Sequence, residues 1–116
     1  MRRDLQFLQD ISEAAQSVEL FVAGHDEGSF SGDDVLRSAV LHKLTVIGEA
    51  AARLTAELRE RHAGIPWSDL VGFRNIVVHA YFSLAWSIVW TTATEEVPEL
   101  RQQIDRVLEL ERRRDG

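Results

Sequence analysis

The sequence has no cysteine, so it can form neither a disulfide framework nor a thiolate metal site. It has only two prolines, Pro66 and Pro98, so few places can interrupt a long helix. No apolar run approaches the ~18 residues of a membrane-spanning helix, and the opening Met1-Arg2-Arg3-Asp4-Leu5 lacks the apolar core of a signal peptide. Positive charge is scarce as well: 13 Lys and Arg against 19 Asp and Glu give a net charge of −6. That balance argues against broad binding to phosphate backbones, which works through excess Lys and Arg. A nucleic-acid partner would have to meet a local basic site. These absences fit a cytoplasmic protein that does not enter a membrane. What is present, 45% hydrophobic and 28% charged residues over 116 positions, is ordinary globular composition. One domain over residues 1–116 is expected, large enough to bury roughly two-thirds of its unfolded surface.

Hydrophobic periodicity predicts an all-α fold, an up-and-down bundle of four main helices plus a short one. Leu5, Leu8, Ile11, Ala15, Val18 and Val22 recur at helical steps over residues 4–22, with Asp4 as a candidate cap. Residues 23–33 contain three glycines and two serines and read as a loop. His25 lies there beside Asp26 and Glu27, but neighbours in a loop do not make ligand geometry, and no metal site is expected. A long helix over about 34–61, capped by Asp33, carries Val40, Leu44, Ile47, Ala51, Leu54 and Leu58 as its buried stripe. Gly48 inside it costs about 1 kcal/mol relative to Ala and so points to a close helix contact. Glu49 and Arg53, four apart, are placed to pair with each other; the alternative is that Glu49 faces the helix expected over residues 72–81. His42, on the same face as Glu49, reads as structural. Gly64 is expected to stop the helix in a left-handed conformation, and Pro66 to open a short turn with Trp67 as a core anchor. The last helix, about 84–113, shows Trp86, Trp90, Ala93, Val97, Leu100, Ile104 and Val107 as an unbroken apolar seam. Pro98 predicts a kink near 95–98. Glu95, Glu96 and Arg101 read as solvated charges, and Arg112, Arg113 and Arg114 suit the negative end of the helix.

One stretch concentrates chemistry. Gly72-Phe73-Arg74-Asn75-Ile76-Val77-Val78-His79-Ala80-Tyr81 holds an Arg, an Asn, a His and the only Tyr of the chain. On a helix, Asn75 and His79 are i,i+4 neighbours, Arg74 and Tyr81 lie on another edge about 120° away, and Ile76, Val77 and Ala80 form the apolar side. Taken singly, each polar residue has an ordinary structural role open to it. Together they fix four residue types at set spacings.

Arg74-Asn75-Ile76-Val77-Val78-His79 resembles the RNxxxH signature of HEPN-domain ribonucleases. Extended to Tyr81, it resembles the RX4HXY form of HepT-like toxins. The surroundings agree, with Ile47-Gly48-Glu49-Ala50 upstream, Ile65-Pro66-Trp67 before the motif, and Ile88-Val89-Trp90 and Val97-Pro98-Glu99-Leu100 after it. The similarity covers roughly residues 3–110. Ser83-Leu84-Ala85-Trp86 departs from it, being more apolar than the Gly- and Asp-containing turn usual in that family.

The resemblance implies a two-fold homodimer and a metal-independent endoribonuclease without cofactor, the toxin of a type VII-like toxin–antitoxin pair. Arg74, Asn75 and His79 would be catalytic, with Glu49 and Arg53 as candidate supporting residues. Tyr81 would accept AMP from a cognate MntA-type nucleotidyltransferase antitoxin. The chemistry of the residues is compatible: an unperturbed imidazole, with a pKa near 6.5, suits acid or base work at His79, and Arg74 offers a planar fork of donors for phosphoryl oxygens. Two other readings are a nucleotide-binding or regulatory partner subunit of a nucleotidyltransferase, without cleavage of its own, and a purely structural helical dimer.

Overall fold

A computed structural model describes residues 2–76, 78 and 86–115. The architecture is all-α, with no strand among the described residues. Three long helices form the frame: α1 (Arg2–Val22), α3 (Asp34–Ala52) and α7 (Val97–Asp115). α1 packs along both of the others. Short helices complete it: α2 (Glu27–Ser31), α4 (Ala56–Arg61), α5 (Trp67–Val71) and α6 (Trp86–Thr91). α6 runs into α7 through a π-helical turn, Thr92–Glu96.

The apolar stripes meet in one core. Leu8, Ile11 and Val18 of α1, Leu44 and Ile47 of α3, and Val97 and Ile104 of α7 are all fully buried. Burial of each such side chain contributes about 1.5–3 kcal/mol. The seam of the C-terminal helices is used here, inside the chain: Ala93, Val97, Leu100, Ile104 and Val107 belong to this core.

Several local expectations are corrected, each by a polar contact that periodicity does not reveal. Asp4 does not cap α1 but lies within it, 1% exposed. Its carboxylate accepts from the Thr55 N–H at 3.0 Å and the Thr55 hydroxyl at 2.6 Å. Thr55 is the N-cap of a separate helix, its oxygen accepting from the Leu58 N–H at 3.2 Å. The expected helix over 34–61 is thus two helices, α3 and α4, broken at Arg53–Thr55. The apolar stripe runs unbroken across the interruption, which hid it. Asp33 does cap α3, accepting from the Leu36 N–H at 3.0 Å.

The segment 23–33 is not all loop. Asp26 and Ser29 form a capping box that starts α2, and Phe30 from this helix is fully buried. Its ring meets Trp90 at 5.3 Å and Trp86 edge-on at 6.5 Å. The Arg37 guanidinium lies 4.7 Å over Trp86. Gly24, with φ 80°, takes the left-handed conformation expected of Gly64. α4 stops instead at His62, whose carbonyl accepts from the Trp67 indole N–H at 3.0 Å.

The distortion expected around Pro98 is the π turn, where the Val97 N–H reaches back to the Thr92 carbonyl. Placing the wide turn just before Pro98 leaves the proline in the first turn of α7, where its missing donor is harmless. Arg101 is not merely solvated: it bonds Glu19 of α1 and, at 3.3 Å, Asp105, which accepts from Ser12. Glu111, at the start of the arginine-rich tail, is buried and accepts from Arg61 Nη2 at 2.7 Å and Nε at 3.2 Å. It also lies 2.6 Å from His62 Nε2.

Hydrogen bonds from Arg61 outweigh the opposing effect of burial, His62 adds to them, and the Glu111 carboxyl is lowered from 4.5 to about 2. A carboxylate depressed by folding stabilises above its ordinary pKa, and that contribution is lost as pH falls toward the folded value. Wild type should therefore lose thermal stability between pH 4.5 and about 2 more steeply than Glu111→Gln. At neutral pH the variant should be about 2 kcal/mol less stable. Thermal melts across a pH series check this; parallel curves would contradict it.

Candidate functional site

The residues leading to the motif are set down on α3 by a short, well-anchored path. Trp67 (7% exposed) and Leu70 (2% exposed) fix α5 to the core. Gly72 ends α5, its N–H bonding the Ser68 carbonyl at 2.9 Å. Helical structure resumes at once over residues 73–76, where the Asn75 N–H reaches the Gly72 carbonyl at 2.9 Å. Phe73, 4% exposed, turns inward and anchors this second piece.

Gly48 of α3 is the point of closest approach. A Cβ built there would stand 2.8 Å from Arg74 Cγ, 3.2 Å from Arg74 N and 3.3 Å from the Val71 carbonyl oxygen. This is the close helix contact that a glycine in mid-helix signals. One residue on, Glu49 accepts a hydrogen bond from Arg74 Nη1 at 3.1 Å. Glu49 therefore faces Arg74, and the expected pairing with Arg53 is corrected: Arg53 lies exposed beyond the end of α3. Glu49 and Arg53 also line a shallow groove of about 300 Å³ with Phe7, Thr45 and Val46.

Arg74 and Asn75 are both exposed. Ile76, assigned to the apolar side, is partly buried against the core, while Val78 is 55% exposed. His79 and Tyr81, with Val77 and Ala80, lie outside the described residues. Arg74, Asn75 and Glu49 are thus brought together at one surface, and Arg53 stands apart from the ion pair. His42 is exposed. His25 Nδ1 lies 3.1 Å from Ser29 Oγ, within the α2 capping turn.

Sequence reasoning missed one cluster with chemical capacity, Arg61–His62–Glu111. Its members are about 50 positions apart in the chain, and no spacing rule connects them. His62 also lines a cleft of about 410 Å³ with Ile65, Gln103, Arg106 and Leu110.

Comparison with known proteins places this geometry in a family context. The sequence profile described as ribonuclease HepT-like matches residues 11–107. A candidate RNase of Methanocaldococcus jannaschii is 35% identical over 91% of this chain and 98% of its own length. A candidate RNase of Caldanaerobacter subterraneus is 33% identical over 97% of this chain and all of its own. A protein of Thermococcus cleftensis named as a probable ribonuclease HepT is 29% identical over 91% of this chain and 96% of its own. No solved structure matches the chain.

The Gly48 contact has a direct consequence. Gly48→Ala gains about 1 kcal/mol of helix propensity, but the added methyl must push Arg74 and the backbone of residues 71–74 away at a cost of about 1–3 kcal/mol. A net loss of about 1 kcal/mol is expected, read as a lower thermal midpoint. An unchanged or raised midpoint would contradict the close approach.

Proposed function

This chain belongs to the ribonuclease HepT-like family, and on that premise we propose that it is a metal-independent endoribonuclease. We read it as the toxin of a type VII-like toxin–antitoxin pair, acting as a two-fold homodimer. The observation that carries this reading is the Arg74–Asn75 pair of the motif, both exposed, with Arg74 bonded to Glu49 of α3.

The chemistry follows from residue types. A general base removes the 2′-hydroxyl proton of RNA, the 2′-oxygen attacks phosphorus, and the bond to the 5′-oxygen breaks. A general acid returns a proton to that oxygen, leaving a 2′,3′-cyclic phosphate and a 5′-hydroxyl. Arg74 stabilises the charge that gathers on the phosphoryl oxygens. Asn75 orients the imidazole of His79 or binds the same phosphate. His79 supplies one proton-transfer group per chain, so base and acid together call for two copies. A closed two-fold dimer is the commonest way to supply them.

A free phenol, with a pKa about 10, is a poor acid–base group at neutral pH, so Tyr81 calls for a different role. Its role in this reading is as acceptor of AMP from a cognate MntA-type nucleotidyltransferase antitoxin. The Tyr81 oxygen attacks the α-phosphorus of ATP and pyrophosphate leaves. A bulky anion then stands near Arg74 and competes for its charge, which silences cleavage. A second reading draws on the net charge of −6, unusual for a protein that handles RNA. In it the chain is a non-catalytic nucleotide-binding or regulatory subunit of a nucleotidyltransferase.

Cleavage of a labelled RNA pool in EDTA separates the two. Protein of verified, unmodified mass should cut, Arg74→Ala should lose about 10²–10³ in rate, and His79→Ala about 10²–10⁴. Tyr81→Phe should cut but resist inactivation by the nucleotidyltransferase and ATP. Clean wild type without cleavage, yet binding nucleotide, would transfer the case to the regulatory subunit.

A further inference from the structure

We propose that Glu49 is a positioning residue that holds the Arg74 guanidinium for the phosphate; this rests on the ribonuclease reading above. An arginine on a surface helix has four rotatable bonds and no fixed address. Here its stem and its head are both held by α3. Gly48 removes the atom that would block the stem, since a Cβ there would lie 2.8 Å from Arg74 Cγ. Glu49 then takes the head, accepting from Nη1 at 3.1 Å. The two anchors are consecutive residues of one helix, so they keep a fixed relation to each other.

The contact uses one corner of a group that carries five N–H donors. Among the described residues it restrains the head through one nitrogen, and both partners remain reachable from solvent at 43% and 46% side-chain exposure. A carboxylate beside a phosphate site ordinarily repels the ligand. Its presence next to the exposed motif arginine of an already acidic protein is a cost that orientation of the guanidinium offsets. The two roles predict opposite signs. If Glu49 merely repels, neutralising it tightens RNA binding and speeds cleavage. If it positions Arg74, neutralising it does the reverse, and only while Arg74 is present.

The test is a double-mutant cycle on the full chain with wild type, Glu49→Gln, Arg74→Ala and the double variant, each checked for an unchanged thermal midpoint. Two quantities are read: the single-turnover cleavage rate of a mixed-sequence RNA, and affinity for its uncleavable 2′-O-methyl counterpart. Glu49→Gln should lower both by about fivefold, the scale of a well-oriented exposed ion pair. The same change in the Arg74→Ala background should leave affinity unchanged or slightly tighter. Glu49→Gln that matches or exceeds wild type, or an equal loss in both backgrounds, overturns the inference while leaving the ribonuclease intact. Cleavage by Arg74→Ala equal to wild type overturns the ribonuclease reading, and this inference with it.

Discussion

The site depends on one absence, the missing side chain at Gly48. Because α3 carries no Cβ at that position, the chain from Val71 to Arg74 descends to backbone contact with it. That fixes where the motif begins, since Arg74 and Asn75 emerge directly from the contact. The same approach brings Arg74 within reach of Glu49, so a packing constraint becomes an electrostatic one within a single residue. Helix propensity would favour Ala at 48 by about 1 kcal/mol. Keeping glycine costs stability in exchange for geometry, the pattern seen where a local rule is broken for a site.

The remainder of the fold holds this contact in register. α3 buries a stripe from Leu36 to Ala51 and packs against α1, and α1 in turn packs against α7. Trp67, Leu70 and Phe73 anchor the approach from the other side. Polar pins then fasten segments that the apolar core alone would leave free. Asp4 holds the restart at Thr55, Glu111 holds the end of α4, and Arg101 joins α7 to α1 through Glu19. Each of the three uses a carboxylate, so part of the acidic excess of the chain is built into its frame.

The sequence makes the apolar architecture legible. The stripes on α1 and α3 and the seam through α6 and α7 were each identifiable from spacing, and each is buried except at Leu5, Trp86 and Trp90, which pack partly buried against the core. So was the meaning of Gly48, because a helix interior tolerates the lost propensity of glycine where a neighbouring backbone must come close. What escaped was set by contacts between residues distant in the chain. The break at Arg53–Thr55 depends on Asp4, some 50 positions away. The helix at Glu27–Ser31 depends on Phe30 finding Trp86 and Trp90. Glu49 had two partners at plausible distance in the chain, and only packing chose Arg74 over Arg53. The resemblance to HepT-like ribonucleases rested on a short motif with agreeing surroundings, and the family match over residues 11–107 carries it across most of the chain.

The transesterification proposed above, metal-free and dependent on Arg74, would leave a chemical signature that binding and inhibition cannot mimic. The decisive measurement is the identity of the RNA ends made by the unmodified protein in EDTA, read by mass spectrometry, with Arg74→Ala alongside. A 2′,3′-cyclic phosphate and a 5′-hydroxyl, produced by wild type and lost in the variant, is the expected result. A 3′-hydroxyl with a 5′-phosphate, or the same ends from both proteins, would contradict it.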